Sequence, residues 1–313
     1  MTDLPTRIRI HEEGPREGFQ IETTPIAVAD KVRLIEALAE TGLPEIQCTS
    51  FVNPVQVPQM ADAEAVSAAI RRKDGVRYTG LWLNIQGLKR AVASGLDMAG
   101  SLQMATSETF SVRNTRKSGE QTLEEQRRVL AYCVEHGLVI DSAIVMTAFG
   151  CNYEGAIAPA RVVECVAALL EVAAAAGVRL ERMRLADTVG WGTPLAIKRV
   201  VGAVRGRWPD LPITLHLHDT RGTGIANAMA GLEMGVAAFE SSCAGLGGCP
   251  FAGHKAAAGN ICTEDLVFMA EEMGISTGLD LDRLIECAKL AESIVGHPLP
   301  GRVMNGGSLT RFH

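Results

Sequence analysis

The chain lacks a CxxC pair, a long apolar run and an excess of basic residues. Its eight cysteines are scattered over 313 residues, several inside helical patterns (Cys133, Cys165, Cys287). Reduced thiols in a cytoplasm are therefore expected, not a disulfide framework or a cysteine-rich zinc cluster. No apolar stretch reaches the roughly 18 residues that would suggest a membrane span. The segment Met1–Thr6 lacks the basic-then-apolar layout of a signal peptide. A net charge of −6 argues against a general nucleic-acid binder. It leaves a small anionic substrate open, because local clusters decide that. The first turn reads Pro15-Arg-Glu-Gly18, not the glycine-rich phosphate cradle of an open doubly wound sheet. No solenoid-type repeat, long linker or second regulatory domain is visible.

What is present is ordinary in bulk, with 47% hydrophobic and 21% charged residues. The order is more informative. Apolar, β-branched runs are expected as strands over residues 7–11, 45–51, 78–84, 98–105, 139–147, 183–187, 213–218 and 238–242. Amphipathic stretches predict helices over 30–40, 62–72, 86–94, 123–136, 159–176, 194–204 and 224–234, with two more over 264–273 and 280–294. Residues 106–119 read as a polar loop, and the last twenty residues as an exposed tail. Eight strand–helix units of similar length imply a parallel sheet covered by helices. They close naturally into an α/β (β/α)8 TIM barrel with short additional C-terminal helices, one catalytic domain over 1–313.

In such a barrel the carboxyl ends of all strands share one face, and polar residues there meet from distant sequence. Arg16 and Glu17 follow the first strand, Gln47, Thr49 and Ser50 end the second, and Asn84 follows the third. Thr147 and Cys151–Glu154 follow the fifth, and Asp187 with Thr188 the sixth. The seventh ends in His216-Leu-His218. Residues two apart on a strand face one side, so both imidazoles project together and form half of a divalent-metal site. A hydrogen-bonded pair of strand-end histidines is the plainer alternative. Two histidines, a carboxylate and an amide oxygen suit Mg²⁺ or Mn²⁺. Arg16 beside Glu17 supplies a cation where a developing enolate would need one, or else a surface ion pair. Cys249, in Gly247-Gly-Cys-Pro250, is a candidate general acid or base on a lid-like loop, or else a structural cysteine. Arg113, Arg116 and Lys117 are either a solvated charge run or a contact for substrate phosphates.

Taken together these motifs resemble the 3-hydroxy-3-methylglutaryl-CoA lyase family, within the metal-dependent lyase and Claisen-synthase barrels. The resemblance runs over nearly the whole chain. It is carried by Gly14-Pro-Arg-Glu-Gly-Phe-Gln20, Thr49-Ser-Phe51, Tyr153-Glu-Gly155, Asp187-Thr188, His216-Leu-His-Asp-Thr220, Ala244-Gly-Leu-Gly-Gly-Cys-Pro250 and Gly259-Asn260 with Thr263-Glu-Asp265. It implies Mg²⁺ or Mn²⁺ held by Glu17, His216, His218 and Asn260. It also implies an acyl-CoA substrate contacted by residues such as Gln20, Gln47, Ser50, Asn84, Thr147, Asp187, Thr188, Arg113 and Lys117. The implied reaction is a retro-Claisen cleavage to acetyl-CoA and a keto acid, acetoacetate for the parent substrate. Arg16 would stabilise the enolate oxygen and Cys249 would help protonate its carbon. A homodimer or higher homo-oligomer is the expected assembly.

Three positions depart from the family pattern. Glu17 stands where its lyases usually carry Asp, and Gln47 where they carry Glu, so the partner expected to orient Arg16 is neutral. The segment 251–259, with His254 and Lys255, is about two residues longer than the lyase loop, a change surface loops tolerate. A related 3-hydroxyacyl-CoA such as a citramalyl-CoA is therefore an alternative substrate. A Claisen-type synthase and a barrel that only binds CoA-like ligands are the other readings.

Overall fold

The structure, a computed structural model, describes residues 4–97, 100–248 and 258–312. The first third alternates β1 (Arg9–Glu12), a π-helical turn (Gly14–Gly18), the single-turn α1 (Phe19–Ile21), α2 (Val28–Ala39), β2 (Glu45–Ser50), α3 (Ala63–Ala69), β3 (Arg77–Leu81) and α4 (Ile85–Ala93). The middle carries β4 (Gly100–Ala105), α5 (Glu108–Thr115), α6 (Gly119–Glu135), β5 (Ile140–Met146), α7 (Pro159–Ala175), β6 (Arg182–Ala186) and α8 (Pro194–Arg207). Then come β7 (Ile213–His216), α9 (Gly224–Glu233), β8 (Ala238–Ser241), α10 (Thr263–Glu272), α11 (Leu281–Val295) and the short α12 (Val303–Gly306).

The strands make one eight-stranded sheet in the order β3-β2-β1-β8-β7-β6-β5-β4. Each strand pair with a defined register is parallel. Parallel strands covered by helices are buried on both faces, and β2 is buried throughout although it reads Glu-Ile-Gln-Cys-Thr-Ser.

Contacts divide the chain into two compact units. One holds residues 98–237, with β4–β7 and their helices; its core is built from Leu102, Val129, Ala143, Val145, Leu169, Leu185, Val201 and Leu215. The other holds 5–97, 238–250 and 256–313, with β8, β1, β2 and β3. Its core includes Ile10, Phe19, Leu34, Leu38, Ile46, Phe239, Leu266 and Ala288.

Local chemistry sets the helix ends. Asn84 accepts from Gly87 N at 2.9 Å and starts α4. Ser118 and Gln121 form a reciprocal capping box at the head of α6. Gly296, at φ +75°, closes α11 in the left-handed conformation.

Two expectations are corrected. The polar loop over 106–119 contains α5: Ser107 Oγ caps it by accepting from Phe110 N, and Glu108 lies in the first turn. Its buried side is small, Phe110 and Ser111 alone, so it carries no apolar stripe for the sequence to reveal. The C-terminal stretch is not an exposed tail. Gly301, Val303, Met304 and Ser308 are buried, and Asp265 Oδ1 accepts from Val303 N at 2.7 Å.

Candidate active site

Two adjacent acids mark the end of β1, Glu12 as its last residue and Glu13 as the helical-region cap of the turn that follows. Glu12 turns inward and is fully buried, accepting from Gly14 N (2.8 Å), Cys243 N (2.8 Å) and Thr263 Oγ1 (2.6 Å). Burial pushes its pKa up to about 7 despite these donors. Glu13 leads into the π-helical turn instead. Its carbonyl accepts from Arg16 N and Glu17 N, and its own N–H is held by Ser241 O of β8.

That turn presents Arg16 and Glu17 at the carboxyl end of β1. Arg16 Nε donates to Gln47 Oε1, Nη2 donates to Glu13 Oε2 at 2.6 Å, and Nη2 lies 3.0 Å from Glu17 Oε2. The Arg16 side chain is only 13% exposed, so this is no surface ion pair. Burial works against its charge, but Glu17 and then Glu13 outweigh burial and raise its pKa above the ordinary arginine value. Gln47, the neutral partner expected for Arg16, meets Nε, and an acid that was not expected, Glu13, meets Nη2.

Asn260 is fully buried in the same unit. Its Nδ2 donates to Leu246 O at 3.2 Å, while Oδ1 is buried with no hydrogen-bond partner. Gly247 has φ +102°, and a Cβ there would fall 2.7 Å from Asn260 Nδ2 and 3.1 Å from Glu17 Cγ. Only glycine allows the chain to pass between these two side chains. Gln20 Oε1 and Ser50 Oγ are also buried without hydrogen-bond partners. Asn84, by contrast, spends its side-chain oxygen on the α4 cap.

In the other unit, His216 and His218 are buried and their Nε2 atoms face each other at 3.1 Å. That spacing matches one edge of a coordination shell with metal–nitrogen bonds of about 2.1 Å. Asp187, at the end of β6, is buried; its Oδ1 accepts from Trp191 N (2.7 Å) and Gly192 N (2.9 Å), while Oδ2 has no hydrogen-bond partner. Burial raises the Asp187 pKa, opposed by His218 and by those two N–H donors. Thr147 adopts φ 54°, unusual for a β-branched residue. It is held there by Thr188 Oγ1, which accepts its N–H, and by Thr106, whose hydroxyl donates to its carbonyl.

Arg113 stacks over the Tyr153 ring at 4.5 Å on exposed surface, and Lys117 Nζ lies 3.6 Å from Glu125. Cys249, with His254 and Lys255, lies outside the described residues. Sequence reasoning missed Glu13, whose side-chain direction is set by the π-helical turn that follows it. It also missed Glu12, whose burial no spacing reveals.

The parallel eight-stranded α/β sheet with its helices is of the TIM-barrel class, and the relatives it matches are carbon–carbon lyases. The chain belongs to the HMGL-like family, whose model matches residues 7–291. It is 38% identical over 298 residues to a hydroxymethylglutaryl-CoA lyase of Bacillus subtilis, spanning 95% of this chain and 96% of that one. The crystal structure of hydroxymethylglutaryl-CoA lyase from Pseudomonas aeruginosa superposes with a TM-score of 0.89 at 36% identity, over 97% of this chain and 98% of that chain. An HMG-CoA lyase from Acinetobacter baumannii, solved with coenzyme A and 3-methylmalate, gives 0.88 at 36% identity over 100% and 99%.

Proposed function

We propose that this protein cleaves 3-hydroxy-3-methylglutaryl-CoA to acetyl-CoA and acetoacetate by a divalent-metal-dependent retro-Claisen step. We further propose that Glu17, His216, His218 and Asn260 hold Mg²⁺ or Mn²⁺. The observation that carries the metal is Asn260 Oδ1, a buried amide oxygen with no hydrogen-bond partner, fixed by its own Nδ2 on Leu246 O. Leaving such an acceptor unmet costs about 1–3 kcal/mol unless something binds there. When bound, the ion supplies Lewis-acid polarisation of the substrate's hydroxyl and carbonyl oxygens.

The chain's own groups do the rest. Cleavage of the C2–C3 bond leaves a keto acid and an acetyl-CoA enolate, and the Arg16 guanidinium is the preorganised positive charge for the enolate oxygen. A carboxylate at Glu17 takes the 3-hydroxyl proton. Cys249 returns a proton to the enolate carbon. Gln20, Gln47, Ser50, Thr147, Asp187 and Thr188 line the substrate's reacting end. Arg113 and Lys117 offer cations to its phosphates, and Asn84 contributes from the head of α4, which it caps. One catalytic TIM-barrel domain over 1–313 with added C-terminal helices is part of the proposal. A homodimer or higher oligomer in the cytoplasm is the proposed setting; the described cysteines are buried and form no disulfide among themselves. No helix among the described residues is long and apolar enough to cross a membrane.

A second reading keeps the chemistry and changes the acid. Glu17 and Gln47, standing where the family carries Asp and Glu, favour a neighbouring 3-hydroxyacyl-CoA such as a citramalyl-CoA. The test is a panel of 3-hydroxyacyl-CoA thioesters with Mn²⁺, scored for acetyl-CoA release, run on the wild type and on His218→Ala. Fastest release from 3-hydroxy-3-methylglutaryl-CoA, lost in the variant, is expected. Faster release from another thioester selects the second reading, and full activity after metal stripping overturns the metal.

A further inference from the structure

We propose that Glu13 is the positioning residue for Arg16, supplying from position 13 the negative charge that Gln47 does not supply from position 47. The inference rests on the lyase reading for its catalytic consequence. Its structural basis is independent of it.

Glu13 is built into place twice over. Its N–H is tied to Ser241 O at 2.8 Å, and its carbonyl accepts both Arg16 N (3.1 Å) and Glu17 N (2.8 Å). The backbone of this residue therefore starts the turn that carries Arg16 and Glu17. Its side chain, buried to 4% exposure, then holds the guanidinium it has just positioned. A charge-assisted bond of 2.6 Å between buried partners is strong and directional.

An arginine has five N–H donors in a rigid plane. Here Nε meets Gln47, and Nη2 is shared between Glu13 and Glu17. These three contacts hold the fork through Nε and Nη2. The sharing also matters for Glu17. With Glu13 on Nη2, Glu17 is not the sole counter-ion of Arg16, and its carboxylate keeps charge for a cation. Without Glu13, Arg16 would pair with Glu17 alone, and the local charge would be one unit more positive. Both effects oppose cation binding and let the guanidinium turn off its set angle.

The experiment compares wild type, Glu13→Gln and the double variant Glu13→Gln/Gln47→Glu, which moves the acid from one side of Arg16 to the other. Turnover is measured at saturating Mn²⁺, Mn²⁺ affinity by calorimetry without substrate, and folding by melting temperature. Glu13→Gln should lower kcat by about 10²-fold with KM changed less than about threefold, the pattern of a group felt in the transition state. It should weaken Mn²⁺ binding by about fivefold, on the scale of one nearby charge. The double variant should regain at least about a tenth of the wild-type kcat and most of the Mn²⁺ affinity. A Glu13→Gln variant with unchanged kcat and unchanged Mn²⁺ affinity overturns the proposal. So does a double variant no better than the single one, which would mark Glu13 as merely structural. If the wild type releases no acetyl-CoA from any thioester, the lyase reading fails by itself, and the calorimetric comparison still decides Glu13.

Discussion

Glu12 and Glu13 are neighbours in sequence with separate tasks. Glu13 faces the Arg16 fork, while Glu12 ties β1 to Cys243 and Thr263 beyond β8. Nothing in the dipeptide Glu-Glu tells them apart; the end of the strand at Glu12, the helical backbone of Glu13 and their different neighbours do. The Glu12 environment has a measurable consequence. Its folded pKa, about 7, lies above the ordinary 4.5, so the folded state keeps a proton that the unfolded chain releases. That contribution is complete below about pH 4.5 and is lost as pH rises through about 7; Glu264, raised by burial to about 8, extends the window upward. The Glu12 share is on the order of 3 kcal/mol. Urea unfolding at pH 5 and pH 8.5 should show a clear loss for the wild type and a smaller one for Glu12→Gln. Equal losses in the two proteins would remove Glu12 from the account. At this scale the histidine pair was legible, because a period of two needs no tertiary information. The acid serving Arg16 was not, because side-chain direction through a π-helical turn follows no simple sequence period.

At the scale of elements, the strands were legible as buried runs, and most differ from expectation only at their ends. The exceptions have physical causes. Helix α5 is specified by its Ser107 cap and not by an apolar face, so pattern reading passes over it. The final segment carries few hydrophobic residues, yet Met304 is 3% exposed and Asp265 accepts the backbone N–H groups of Arg302 and Val303. Met304→Ala should cost about 2–3 kcal/mol, in the range for a buried methionine, read from the denaturant midpoint. A loss under about 0.5 kcal/mol, the level typical of surface substitutions, would restore the exposed-tail expectation. The capping box of α6 is a second check. Ser118 Oγ accepts from Gln121 N at 3.1 Å, and Gln121 Oε1 accepts from Ser118 N at 2.9 Å. Ser118→Ala should destabilise by about 1 kcal/mol, with Ser118→Asp close to wild type. If alanine is as stable as aspartate there, the cap is not contributing.

At the scale of the whole molecule, a ligand that binds only the folded state raises its stability by mass action. Mn²⁺ at about 100 times its Kd should add about 2.7 kcal/mol, a rise of several degrees in the melting temperature of metal-stripped protein. His218→Ala should melt within about 2 °C of the stripped wild type and gain little on adding Mn²⁺. A wild type that gains nothing, or a variant that gains equally, would dissolve the proposed ligand set.

The sequence by itself determined the number and order of strand–helix units, the family, and the two histidines on one side of a strand. Those depend on local periodicity and on motifs, which survive being read one residue after another. The tertiary structure alone decided which acid holds Arg16, that Glu12 is buried beside Cys243 and Thr263, and that Asn260 turns an unmet oxygen into the protein interior. Those depend on which side chains lose water and against what, and partners 231 and 251 residues apart in the chain leave no trace in local pattern.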